Sequence, residues 1–337
     1  MKTSVLDGKI SRIFDAAKAS GSLISIAKTT HRIHAGSVLF DVSFAPSLAR
    51  KPTLANTLTD AVKEQKPQSK PKVFNPFLPP ERSLVVSMSL QPRHNLLLNK
   101  FCVSPHHLLV TTAEYEEQGL PLNDGDFTAL LRVLASSLRE YVVFYNSGPS
   151  SGASQPHKHV QMLPRENGHN GHETWPPIAE AIVNRRMIEI ANDVVQSSEL
   201  PFTHYLVMTP WLRSVINSLR TSTVNTDEIV EAPLISVDEA MQRAVDPLST
   251  QSYNFVMTAD FMMLVPRSSS EFTLPSTNTT SNEVQLTTIG INSVGYAGMI
   301  LVKTKEALDV LETSVNPMNI LTQLGIPLEP KSPLSQL

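Results

Sequence analysis

The chain has one cysteine, Cys102, in 337 residues. No intramolecular disulfide can form, and no Cys-rich zinc site can be assembled. That scarcity suits a reducing compartment. An excess of either charge is also missing: 28 Lys+Arg against 31 Asp+Glu leave a formal net charge of −3. Such a balance gives no overall electrostatic case for binding nucleic acid. Long hydrophobic runs are absent. No stretch reaches the ~18 apolar residues of a membrane span. The opening MKTSVLDGKISRIFDAAKASG carries Asp7 and Asp15 and has no long apolar region, so it does not read as a secretory signal. The expectation is a cytoplasmic protein, with nuclear access left open. A Gly-rich dinucleotide fingerprint and internal repeats are missing as well.

What is present is an ordinary globular composition, 41% hydrophobic, over a length that allows one or two domains. Ile10, Ile13, Phe14 and Ala17 recur at helical spacing and predict a helix over 7–19. Val38, Phe40, Val42 and Phe44 alternate as a strand. Residues 63–80 are polar and Pro-rich, an irregular connection. Short strands are expected at 84–90, 95–98 and 108–112. A helix follows from a cap at Asn123 or Asp124 to about Glu140, then a strand at 142–146. Further on, helices are expected from near Pro176 or Pro177, around 208–221 and around 237–245. Strands are expected near 253–258 and 261–265, and a loop at 268–287. Residues 291–303, INSVGYAGMILVK, read as strand, turn and strand, and the chain ends in a helix from Lys305 with a Pro-containing tail. Strands in runs with short connections favour an α+β fold with a mainly antiparallel sheet.

One stretch stands apart: YNSGPSSGASQPHKHVQ, residues 145–161. His157, His159 and Gln161 fall at every second position, so on a strand they face the same way. The Gly/Ser/Pro-rich loop ahead of them offers backbone N–H groups suited to phosphate oxygens. From spacing alone three readings stand. A neutral imidazole can attack phosphorus, with His159 as the central residue and His157 and Gln161 beside it. Two histidines at i and i+2 can instead hold a metal, with a third ligand from His106, His107, His169 or His172. Or they are ordinary strand histidines. The loop favours the first, because a metal site needs no such stretch in front of it.

The sequence GASQPHKHVQ resembles the active-site signature of the fungal-type ATP adenylyltransferases, also called diadenosine tetraphosphate phosphorylases. They are a histidine-triad family on the galactose-1-phosphate uridylyltransferase-like branch, where Gln replaces the third histidine. LARKP (48–52), PFLPPE (76–81), HNLLLNKF (94–101), LPF (200–202), YNFVMTADFMMLVPRS (253–268) and INSVGYAGMILVK (291–303) resemble the family in its order. The resemblance implies a histidine-triad-like fold. It also implies a catalytic region over 1–203 and a region over 204–337 that completes the nucleotide site, the two forming one compact unit.

It implies too that His159 attacks the α-phosphorus of a dinucleoside polyphosphate to form AMP–histidine and release ATP. Phosphate then takes the AMP away as ADP, and the reverse reaction makes diadenosine tetraphosphate. Adenosine phosphosulfate is a further implied substrate. Lys51, Asn99, Lys100, Asn146, Gly152, Ala153, Ser154, Gln155, Asn292, Ser293, Met299 and Lys303 match substrate-binding positions of the family. Lys51, Lys100 and Lys303 would offset polyphosphate charge. A divalent cation, Mg²⁺, would arrive with the polyphosphate, since the sequence shows no dedicated carboxylate cage.

Two competing functions remain in view: a hydrolase of the same superfamily, and a nucleotide-binding protein without catalysis. Gln161 argues against the hydrolase, because an amide cannot relay a proton to or from water. The family resemblance assigns His106 and His107 no role.

Overall fold

The computed structural model describes residues 4–36, 38–50, 74–165, 178, 194–221, 252–274 and 287–328. Its centre is a nine-stranded sheet in which every neighbouring pair is antiparallel. From edge to edge the order is β10 (Val194–Val195), β11 (Tyr205–Met208), β13 (Phe261–Pro266), β12 (Tyr253–Met257), β8 (Tyr141–Ser147), β9 (His159–Pro164), β7 (Leu108–Thr112), β5 (His94–Leu98) and β4 (Val85–Leu90). The two halves of the sequence therefore share one sheet, joined where β8 pairs with β12. The edge strand β4 has two register shifts against β5, between Val85 and Ser87 and between Ser87 and Leu90.

All seven residues of β8 are buried, which a strand covered on both faces requires. Val143 and Tyr145 face one core with Val160, Met162 and Phe255. That core is closed by helices α1 (Val5–Ala19), α2 (Asp124–Ser136) and α3 (Pro210–Thr221), through Ile10, Phe14, Leu130 and Leu212. Val142 faces a second core with Val256, Met263 and Val265. Here the cover is a three-stranded sheet of β16 (Met299–Val302), β3 (Val38–Phe44) and β2 (Thr29–Ala35), with helices α5 (Lys305–Thr313) and α6 (Pro317–Leu324). Two small pairs complete the strands: β1 (Ile24–Ser25) with β6 (Phe101–Cys102), and β14 (Glu271–Thr273) with β15 (Thr288–Gly290). The architecture is α+β with a large antiparallel sheet.

Several elements depart from the sequence reading. The helix expected to reach Glu140 stops at Ser136. Asp7 of α1 takes the next donors, Ser137 Oγ at 2.5 Å and the Leu138 amide at 2.8 Å, so they have no need of a helical carbonyl. Residues 291–303 are not strand, turn and strand. Asn292 caps a one-turn helix, α4 (Ser293–Tyr296), and only then does β16 begin. Within the Pro-containing tail, Pro317–Leu324 is helical, because Asn316 caps α6 and Pro317 occupies its first turn, where a missing N–H costs nothing, and residues 329–337 lie outside the described residues. Strand β2, TTHRIHA, escaped notice because its burial is shallow and its residues polar. The helices expected near Pro176 and at 237–245, and most of the 268–287 loop, lie outside the described residues.

Candidate active site

His159 opens β9, but His157 lies just before it, joined to Glu117 by an isolated bridge. Proline 156 has no N–H to donate, and at Lys158 the amide bonds to Glu116 O at 2.8 Å instead of extending the sheet. The two imidazoles nevertheless share a face. The Phe77 ring packs against both, at 5.7 Å from His157 and 5.2 Å from His159. Gln161 follows two residues on, half-buried and paired with Leu109 and Phe144 on the neighbouring strands.

The hydrogen bonds decide which nitrogen carries each proton. His157 Nε2 lies 3.0 Å from the Thr112 carbonyl, which can only accept, so Nε2 is protonated. Its Nδ1 then accepts from Asn75 Nδ2 at 2.9 Å. Both ring nitrogens of His157 are thus spent inside the protein, and burial lowers its pKa so that the ring stays neutral. A ring bonded this way has no lone pair for a metal or a phosphorus. His159 is arranged differently. Its Nδ1 lies 2.8 Å from the His157 carbonyl and must donate to it, which leaves the lone pair on Nε2. That is the tautomer a nucleophilic imidazole needs.

Gln118 fixes His159 from behind. Its Oε1 accepts the His159 amide at 2.8 Å, and its Nε2 donates to the Asn146 carbonyl at 2.8 Å and the His159 carbonyl at 3.3 Å. Lys158, between the histidines, is almost fully buried. Its Nζ is 2.7 Å from Asp126 Oδ2 and 3.4 Å from Glu116 Oε2. Asp126 also accepts from His94 Nε2 at 2.9 Å and closes a capping box with Asn123. Burial pushes the Asp126 carboxyl upward, but His94 and Lys158 more than offset this and hold it below the usual carboxylate range. A buried, hydrogen-bonded ion pair therefore anchors the histidine segment to α2.

The loop ahead of the histidines is gripped from the C-terminal half. Gly152 has φ +80° and lies so close to the chain that a Cβ there would sit 2.6 Å from the Ile291 carbonyl oxygen. Only glycine fits on both counts. Ala153 and Gln155 are half-buried and Ser154 is exposed. Asn146 is buried, and its Oδ1 accepts from Ser293 N at 2.9 Å, Ser293 Oγ at 2.7 Å and Asn254 Nδ2 at 3.0 Å. The Asn292 side chain is occupied in capping α4 through the Val294 amide at 3.2 Å.

Not every expected residue joins this cluster. Asn99 bonds to His107 Nδ1 at 3.1 Å through its Nδ2, which gives His107 a role the sequence did not disclose. His106 adopts φ 59° and packs on Phe14 at 4.7 Å. Lys100 pairs with Glu81 at 2.9 Å on the surface. Met299 sits on β16, paired with Asp41, and Lys303 is exposed just beyond it. Among the described residues, no hydrogen bond of the cluster reaches either one. Lys51 lies outside the described residues. Gln118, Asn75, Thr112 and Asp126 were missed, since nothing in their local sequence marks a residue that serves a strand 30 or more positions away. Among the described residues, no group of three or more His, Cys, Asp or Glu side chains is placed to hold a metal ion.

The large antiparallel sheet, which carries two tautomerically ordered histidines behind a small-residue loop, places the protein in the mixed α+β class. Residues 1–184 match the family model of the Ap4A phosphorylase N-terminal domain, and residues 198–327 that of the ATP adenylyltransferase C-terminal domain. The chain belongs to the Ap4A phosphorylase family of ATP adenylyltransferases, which are nucleotidyltransferases. It is 31% identical over 352 residues to diadenosine 5',5'''-P1,P4-tetraphosphate phosphorylase 2 of Saccharomyces cerevisiae, covering 96% of this chain and 95% of that one. It is 28% identical to Protein APA1 of the same organism, over 85% of this chain and 83% of that one. The crystal structure of yeast Ap4A phosphorylase Apa2 in complex with Ap4A superposes with a TM-score of 0.71 at 29% identity, covering 98% of this chain and all of that one. The same protein in complex with AMP gives a TM-score of 0.69 at 27% identity, with 98% of this chain covered.

Proposed function

We propose that this protein splits diadenosine tetraphosphate with phosphate, giving ATP and ADP, through an AMP–His159 intermediate. The observation that carries the mechanism is the His159 Nδ1–H···O=C bond to His157, which presents Nε2 as the nucleophile. Family membership and the likeness to yeast Apa2 support the substrate. His159 Nε2 attacks the α-phosphorus, the bond from phosphorus to the bridging oxygen breaks, and ATP leaves. A phosphate oxygen then attacks the same phosphorus, the P–N bond breaks, and ADP leaves. Run backwards, ATP and ADP give diadenosine tetraphosphate. Adenosine phosphosulfate would enter by the same route, with sulfate as the leaving group.

His157 acts through its neighbours: its ring holds the strand and its carbonyl sets the tautomer of His159. Gln161 flanks the nucleophile with an amide, which cannot relay a proton to or from water. Phosphate needs no such help, since it brings negatively charged oxygens to the second step. The 152–155 loop, with Asn146, Asn292 and Ser293, is the proposed cradle for the polyphosphate, and Lys51, Asn99, Lys100, Met299 and Lys303 are proposed further contacts. The loop offers hydroxyl and amide groups rather than a carboxylate cluster. Mg²⁺ would therefore be held chiefly by phosphate oxygens and would offset charge on the leaving group.

Incubating the protein with diadenosine tetraphosphate, with and without phosphate, tests the proposal. ATP and ADP are expected only when phosphate is present. ATP and AMP appearing at full rate without phosphate would show a hydrolase. A radiolabelled adenylyl group should be trapped on the wild-type protein and lost in His159→Ala; a persisting adduct would remove His159 from its role.

A further inference from the structure

Arg267 is buried, and every partner of its guanidinium is neutral. Nε donates to Leu324 O at 3.1 Å, Nη2 to Ser269 O at 2.5 Å, and Nη1 and Nη2 both to Ile291 O at 3.1 Å. Nη1 also reaches Asn254 Oδ1 and, at 3.5 Å, Ser151 O. The Tyr296 ring lies 4.9 Å from the guanidinium carbon. Among the described residues, no Asp or Glu pairs with it. Burial even lowers its pKa, although not near neutrality for a guanidinium.

Among the described residues, the other buried Lys or Arg is Lys158, and it is treated differently. Lys158 has Asp126 at 2.7 Å and Glu116 at 3.4 Å. Removing a cation from water without a counter-ion carries a large desolvation cost, and carbonyl dipoles offset only part of it. Arg267 also lies against the phosphate loop. Ser151 immediately precedes Gly152, and Ile291 O is the atom against which Gly152 rests. Asn254, bonded to Arg267, donates from Nδ2 to Ser151 O at 2.9 Å and to Asn146 Oδ1 at 3.0 Å. The guanidinium is thus one hydrogen bond from the backbone of the proposed phosphate cradle.

We propose that Arg267 is the positioning residue of the phosphate loop and that its uncompensated charge is set against the negative charge of the bound polyphosphate. The proposal rests on the adenylyl-transfer reading. A fixed cation in a poorly solvated site acts on an anion without having to reorganise first. The ligand class is a nucleoside carrying several phosphates, and the effect should grow with each phosphate.

The test is binding of AMP, ADP and ATP, by calorimetry, to the wild-type protein, R267M and R267K, with folding checked by circular dichroism. In R267M, affinity is expected to fall by about 3-fold for AMP and on the order of 30-fold for ATP. R267K, which keeps the charge, should retain the wild-type ratio of ATP to AMP affinity within about 3-fold. A uniform loss across the three nucleotides in R267M would mean that Arg267 only braces carbonyls, and would overturn the inference. Should R267M fail to fold, R267K alone decides: a collapsed ATP-to-AMP ratio overturns the proposal and a preserved one supports it. A wild-type protein that binds none of the three nucleotides sinks the adenylyl-transfer reading, and this inference with it.

Discussion

At the scale of single residues, the site depends on side chains that hold others still. Gln118 makes three hydrogen bonds to the strands carrying His159 and Asn146. Gln118→Ala should lower kcat on the order of 100-fold while changing KM far less, because a small misplacement of a nucleophile is that costly. Steady-state kinetics with diadenosine tetraphosphate and phosphate checks the split. His157 gives a pH prediction with a definite sign. Burial holds its folded pKa below the ordinary imidazole value of 6.5. As pH falls below about 6.5 the unfolded chain takes up the proton first, so stability is lost on acidification and is flat above that value. Buried His204 shifts the same way for the same reason. Urea midpoints should therefore decline as pH drops from 6.5 towards 5, and His157→Gln should show a shallower decline. Two buried carboxylates whose pKa values are lowered, Asp7 and Asp126, release their stability at more acid pH, below the ordinary value of 3.8.

At the scale of elements, α2 and the histidine segment stand or fall together. Asp126 caps the helix and neutralises Lys158. Asp126→Asn leaves a buried ammonium with the Pro121 carbonyl at 2.9 Å and, as its carboxylate partner among the described residues, Glu116 at 3.4 Å, and should cost about 3–5 kcal/mol in denaturant unfolding. Adding Lys158→Met to that variant should recover part of the loss, since it removes the stranded charge. The elements show what the sequence disclosed. Strands β3, β7 and β8 and helices α1 and α2 were legible because apolar periodicity and a cap mark them locally. His157, His159, Gln161 and the 152–155 loop were legible because spacing and composition coincide over 17 consecutive residues. Gln118, Asn75 and Arg267 were not, because each acts on residues distant in the chain and no local pattern marks them. Helix α4 was hidden by glycines that read as a turn, although Asn292 is an N-cap residue of the usual type.

At the scale of the whole molecule, the nine-stranded sheet passes without interruption from β8 of the first half to β12 of the second. Tyr145 and Tyr253 lie in one core with Val143, Phe255 and Leu264. A fragment ending at residue 203 would expose β8 along an apolar edge and leave Asn146 without Ser293 and Asn254. Expressed alone, that fragment is expected to show no cooperative thermal transition by circular dichroism, whereas the full chain should show one. Recovery of a sharp transition on mixing the two fragments would show that the shared sheet, and not the covalent link, holds the halves together.

The bulged edge strand β4 bears on how such a large sheet stays separate from its neighbours. A straight edge offers donors and acceptors in a regular row, to which a strand of another chain can add. Two register shifts within six residues break that row at β4. At the opposite rim, β10 is only two residues long among the described residues. Among the described residues one rim is out of step and the other brief, so these edges give an incoming strand little to copy.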